Sequence, residues 1–172
     1  MTLAPEIRAA AREAYGRRCG YCGVSEVWVG GELEIDHFHP LRHGGTDTPD
    51  NLVYACTICN RFKSDYWPTP DAPESLRLLH PGQDDLSVHL LETADGRLVG
   101  LTPRGWFHID RLHLNRSQLI DLRQLHRTKQ SLQKDIVQAQ YIRVQLQERI
   151  YELETELAEL RRVITRLTEQ GV

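Results

Sequence analysis

From about Arg116 to Gln170 the chain contains no glycine or proline, and its apolar positions recur every seven residues. Placing Leu122, Lys129, Ile136, Arg143, Ile150, Leu157 and Ile164 at the a positions puts Leu125, Leu132, Ala139, Leu146, Leu153, Leu160 and Leu167 at d. Only Lys129 and Arg143 interrupt the seam, and a repeat sustained this long predicts a coiled coil over 116–170. Isoleucine at a with leucine at d favours two parallel strands. In that arrangement Arg149 faces Glu154 of the partner and Glu156 faces Arg161, both attractive. The competing reading is a helix that folds back or packs on the rest of the chain. No turn signal interrupts the run, so the expectation is a homodimer, or pairing with another protein such as an ATPase or a sensor.

Upstream the periodicity changes. "LSVHLLET" and "RLVGL" alternate like strands and are joined through "ADG", whose Asp95-Gly96 pair suits a hairpin turn. Thr102-Pro103 predicts a helix start, with threonine as cap and proline at the first helical position. The helix body is "RGWFHIDRLHL", and Asn115 is expected to cap the helix that follows. "PTPDAPE" at 68–74 reads as an extended connector because three of its seven residues are proline. At the other end, "MTLAPEIRAAAREAYGRR" reads as a short helix. Three regions result: 1–67, a connector and small strand-helix annex over 68–115, and the coiled coil.

Composition narrows the function classes. No segment approaches the roughly 18 apolar residues of a membrane span, and the N-terminus lacks an apolar signal core. The chain is therefore expected to be cytoplasmic, where thiols stay reduced. Its net charge of −3 is not that of a protein that grips nucleic acid by charge alone. Any nucleic-acid role must rest on a metal or on local patches. One such patch is Arg123, Arg127, Lys129 and Lys134 at the start of the coiled coil, though a solvated helix face explains it as well.

The four cysteines fall as Cys19-x-x-Cys22 and Cys56-x-x-Cys59. Two such pairs in a reducing compartment match the tetrahedral thiolate set of a structural zinc site, with Gly20 and Gly23 letting the first knuckle bend. A redox motif needs one pair, and disulfides suit the compartment poorly. About thirty residues separate the pairs, far more than a plain zinc ribbon needs, so the zinc would clamp the ends of an insert.

That insert opens with "EIDHFHPLRHGG", in which Asp36, His37, His39 and His43 crowd into eight residues. Asp36 and His37 are adjacent and would point to opposite faces of a regular strand. Both reach one site only if the strand bends or ends there, as Pro40 and Gly44-Gly45 suggest.

Taken together, "EIDHFHPLRHGGTDTPDNLVYACTICNRFKSD" resembles the HNH endonucleases of the ββα-metal group. The matching residues are Asp36-His37, Pro40, Gly44-Gly45, Asn51-Leu52, the second cysteine pair, and Asn60 and Lys63 after it. The zinc-clamped members of that family are framed by two such cysteine pairs. The resemblance covers roughly residues 17 to 66 and implies an α+β fold: a ββα-metal nuclease core with a four-cysteine zinc site, here followed by the annex and the coiled-coil helix. It implies that His37 is the general base, that Asp36 and Asn60 hold the catalytic divalent cation, and that Asn51 holds the histidine ring. Asn60 stands where the family often has histidine. An amide oxygen is a harder ligand than imidazole, so Mg²⁺ or Mn²⁺ is expected there, alongside structural Zn²⁺.

Lys63, Arg61, Arg42 and His43 are the expected phosphate contacts. His39 is expected to support the site, and the remaining histidines to be packing or surface residues. Trp28, Trp67 and Trp106 are expected to anchor the core. The implied function is DNA phosphodiester hydrolysis, in a phage-defence or mobile-element setting. The alternative is a catalytically silent or partner-gated DNA-binding or scaffold subunit recruited through its coiled coil.

Overall fold

The computed structural model describes residues 3–169, so residues 1 and 2 of the expected first region and residue 170 of the expected coiled coil lie outside the described residues. α1 spans Pro5–Ala14, opened by Pro5 in its first turn. A bidentate ion pair from Arg12 to Glu26 joins it to the single turn α2, Glu26–Val29. The Tyr54 hydroxyl donates to the same carboxylate. β1, Glu34–His37, pairs antiparallel with β2, Leu52–Ala55, in the register Glu34↔Ala55 to His37↔Leu52. α3, Thr57–Lys63, follows directly and completes a ββα unit.

β2 reads Leu-Val-Tyr-Ala and every residue of it is buried. It lies at the centre of an apolar core that also takes in Cys19, Tyr21 and Leu33 from the N-terminal side. Leu78, Ile109, Leu112, Leu114 and Leu119 close the same core from the C-terminal side. The regions expected at 1–67 and 68–115 therefore share one core, and the chain divides instead into two units, Met1–Gln124 and Leu125–Val172.

In the first unit, β3, Leu90–Glu92, and β4, Leu98–Gly100, form the hairpin around Gly96, whose φ is +81°. The strand is shorter than "LSVHLLET" suggests. Asp85 accepts from the Ser87 amide and starts a 3₁₀ turn over Leu86–Val88. α4, Pro103–Arg111, begins as expected, with Thr102 Oγ1 accepting from the Gly105 amide. Asn115 does not cap the next helix. Its amide is spent on β4, accepting from Leu98 N–H and donating to Leu98 O.

α5, Ser117–Glu169, starts from Arg116, whose carbonyl takes the first helical bonds. Its opening turns carry the buried Leu119 and belong to the first unit. The second unit is the remaining helix, in which nearly every described residue is exposed. Trp28 and Trp106 are about half exposed, at 53% and 52%, and do not anchor the core as expected. Only Trp67 is more enclosed. No described helix is long and apolar enough to cross a membrane.

Candidate metal and acid–base site

The four cysteine sulfurs lie within 4.8 Å of one another and none is in a disulfide. A regular tetrahedron with Zn–S bonds of about 2.3 Å has edges of about 3.8 Å. Cys22 Sγ and Cys56 Sγ are 3.8 Å apart. Cys56 also caps α3, its Sγ accepting from the Cys59 amide at 3.5 Å, and Arg116 Nη2 lies 3.5 Å from Cys59 Sγ. Amide and guanidinium donors of this kind stabilise thiolates. Four sulfur donors at tetrahedral spacing fit a structural zinc ion and leave it no open position.

The loop between β1 and β2 is shaped by one close approach and one left-handed glycine. A Cβ on Gly45 would stand 1.8 Å from His39 O, and Gly44 takes φ +94°. Neither position admits an ordinary side chain. Asn51 is buried inside this loop. Its Oδ1 accepts from His39 N, and its Nδ2 donates to His39 O and Thr46 O. Asn51 thus braces the loop that carries the site, and its recorded partners do not include the His37 ring.

β1 ends at His37, with Asp36 and His37 both still paired to β2. The residue on the His37 ring is Asp47, with Oδ1 2.7 Å from Nε2. A carboxylate can only accept, so Nε2 carries the proton and, in the neutral ring, Nδ1 keeps its lone pair. Sequence reasoning missed Asp47. Its signal was a carboxylate just past Gly44-Gly45, on a loop forced to fold back over the strand end.

Asp36 lies deep. Tyr21 Oη donates to its Oδ2 at 2.5 Å, and Lys63 Nζ donates to its Oδ1 at 2.9 Å. Burial pushes the Asp36 carboxyl above its ordinary pKa and the Lys63 ammonium below its own, each against the attraction of the other. Tyr21 is raised well above the ordinary tyrosine value, first by burial and then by the Asp36 charge. Such a pair holds because both charges are hydrogen-bonded as well as opposed.

This corrects the expectation for Lys63 as a phosphate contact. Its side chain is 1% exposed, and Nζ also donates to His37 O at 2.7 Å and Ser64 O at 3.4 Å. An ammonium with three internal acceptors and almost no exposure cannot meet substrate.

The other expected phosphate contacts lie outside. Arg61 and His43 are exposed, and Arg42 is paired with Asp65. His39 stacks on Trp67, with centroids 3.9 Å apart, and its Nε2 bonds His43 O, a supporting arrangement. Asn60 is half-buried, and its Nδ2 donates to Glu34 Oε2 at 2.7 Å, so its recorded partner is Glu34 and not Asp36.

Residues 19–65, about a quarter of the chain, match the sequence model of the family described as HNH endonuclease. No curated protein and no solved structure shows a significant match. The matched segment begins at the first cysteine of the sulfur cluster and ends just beyond Lys63, so it takes in both knuckles, β1, β2, α3 and the braced loop. The chain therefore carries an HNH endonuclease domain, of the zinc-binding kind with four cysteines, at residues 19–65.

Proposed function

We infer that the protein is a metal-dependent endonuclease that hydrolyses DNA phosphodiester bonds, with His37 as general base. The observation that carries this reading is the His37–Asp47 pair at the end of β1, beside a buried carboxylate. A neutral imidazole is well matched to taking a proton from water near pH 7, and a carboxylate on its other nitrogen sets the tautomer and favours the imidazolium that forms. Nδ1 is thus the atom that takes the water proton, and the resulting hydroxide attacks phosphorus as the bond to the leaving oxygen breaks.

Asp36 and Asn60 are the residues proposed to hold a divalent cation, which would have to take the place of Tyr21 or Lys63 on an Asp36 oxygen. A carboxylate and an amide oxygen are hard donors suited to Mg²⁺ or Mn²⁺. Such a cation, when bound, supplies Lewis-acid stabilisation of charge on the phosphate and the leaving oxygen. Arg61, Arg42 and His43 are exposed and remain the residues proposed to meet the DNA backbone.

Each domain of this kind would cut one strand. Pairing through the heptad repeat of α5 would bring two such centres together, a route to double-strand breaks. The test is nicking of a supercoiled plasmid with Mg²⁺ or Mn²⁺. His37→Ala is expected to lose roughly 10²–10⁴-fold in rate. Equal rates in both proteins would refute the assignment of His37.

A further inference from the structure

β1 and α3 face each other through a ladder of polar pairs. Glu34 and Asp36 are two residues apart, so they share one face of β1. Thr57, Asn60 and Lys63 recur at three-residue spacing and share one face of α3. The partners match in order. Thr57 Oγ1 donates to Glu34 Oε1 and Asn60 Nδ2 to Glu34 Oε2, both at 2.7 Å, while Lys63 takes Asp36. Both oxygens of Glu34 are therefore committed to α3.

The Asn60 contact bears on the proposed cation site. An asparagine amide has two unlike ends, and only its oxygen can bind a hard cation. Which end is free is normally a matter of the surrounding hydrogen bonds. Here it is decided by charge. A carboxylate is an acceptor only, so the end that meets Glu34 must be the NH₂ group. Reversing the amide would set two acceptor oxygens 2.7 Å apart. Oδ1 is left over, with no hydrogen bond among the described residues.

We propose that Glu34 is a positioning residue for the catalytic cation: it fixes the Asn60 amide so that its oxygen is the end available as a ligand. This rests on the reading of Asp36 and Asn60 as cation ligands. A merely structural role for Glu34, such as steadying the first turn of α3, would show in folding and zinc retention but not depend on which residue stands at 60.

The experiment is a double-mutant cycle read by Mn²⁺ binding, measured from the electron paramagnetic resonance signal of free Mn²⁺, with zinc content and thermal melting as controls. Glu34→Leu removes the acceptor and keeps bulk, and is expected to weaken Mn²⁺ binding roughly tenfold, as loss of a residue that orients a ligand typically does. Glu34→Gln keeps an acceptor for Asn60 Nδ2 and is expected to restore most of that loss. In an Asn60→Asp background either oxygen can serve as ligand and Glu34 no longer has a donor to hold but a carboxylate to repel, so Glu34→Leu is expected to cost nothing further and to relieve that repulsion. Glu34→Ala takes the place of Glu34→Leu if leucine releases zinc.

An equal loss in both backgrounds would overturn the proposal, because Glu34 would then act independently of Asn60. So would unchanged Mn²⁺ binding in Glu34→Leu while Asn60→Ala weakens it. If Asp36→Ala and Asn60→Ala both bind Mn²⁺ as the natural protein does, the cation site itself is wrong and the proposal falls with it.

Discussion

Lys63 is the residue whose type misleads most. A lysine three positions after a candidate metal ligand suggests a phosphate contact, yet its side chain is 1% exposed and neutralises Asp36 within the core. Nothing in the one-dimensional spacing distinguishes the two roles. The difference arises because the ββα turn carries the end of α3 over β1, where Tyr21 and Asp36 already wait. Asn51 and Asp47 teach the same lesson. Their types mark a polar site, but whether an amide braces a loop or a carboxylate holds an imidazole depends on a fold-back that only Gly44, Gly45 and the neighbouring packing decide. A buried counter-ion and a substrate contact make opposite predictions. Lys63→Met is expected to destabilise the domain by about 3–5 kcal/mol in chemical denaturation, because it leaves the Asp36 charge unpaired. Adding Asp36→Asn should recover much of that loss. A variant of full stability but weakened DNA binding would return Lys63 to the surface role.

Elements were more legible than partners. Thr102-Pro103 opens α4 as its sequence implies, and the Asp95-Gly96 hairpin forms where expected, because caps and turns are decided by residues within a few positions of each other. Asn115 failed as a cap because a long-range partner, the β4 backbone, won its amide. What joins α4 to the segment after the connector was invisible for the same reason. His108, 1% exposed, accepts the Leu79 amide proton at Nδ1. Burial, aided by the neighbouring Arg104 charge, holds its pKa down to about 4. The folded value lies below the unfolded one of about 6.5, so the unfolded chain binds more protons between them. This contribution is fully present above about pH 6.5 and is lost as pH falls toward 4, for a total of roughly 3 kcal/mol. His108→Asn offers an amide oxygen to Leu79 without titrating. The natural protein is thus expected to lose more stability than this variant between about pH 7.5 and about pH 5 in urea unfolding. Parallel losses would show that His108 does not set the dependence.

At the scale of the whole molecule, the open question is what covers α5 beyond Gln124. Leu132, Leu146, Leu160 and Ile164 are between 57% and 60% exposed, and all fall on the heptad seam. A single helix of this composition leaves too much apolar surface in water to be an end state, and a second strand on the seam removes it. Arg149 bonds Glu152 of its own chain, so the partner's Glu154 must compete for it, and charge pairing adds less than the seam itself. Light scattering is therefore expected to report a dimer. The cut that abolishes it belongs after Gln124 and not at the apparent start of the repeat near Asn115. Leu119 is buried in the core of the first unit, and Arg123 donates to Gly96 O and Leu114 O, so an earlier truncation would damage the fold and confuse the result. A 1–124 fragment should be a monomer that keeps its zinc, and Lys129→Leu in the full chain should raise the melting temperature of the helix by removing a charge from an a position. A full-length monomer would refute self-pairing and make a second protein the occupant of the seam.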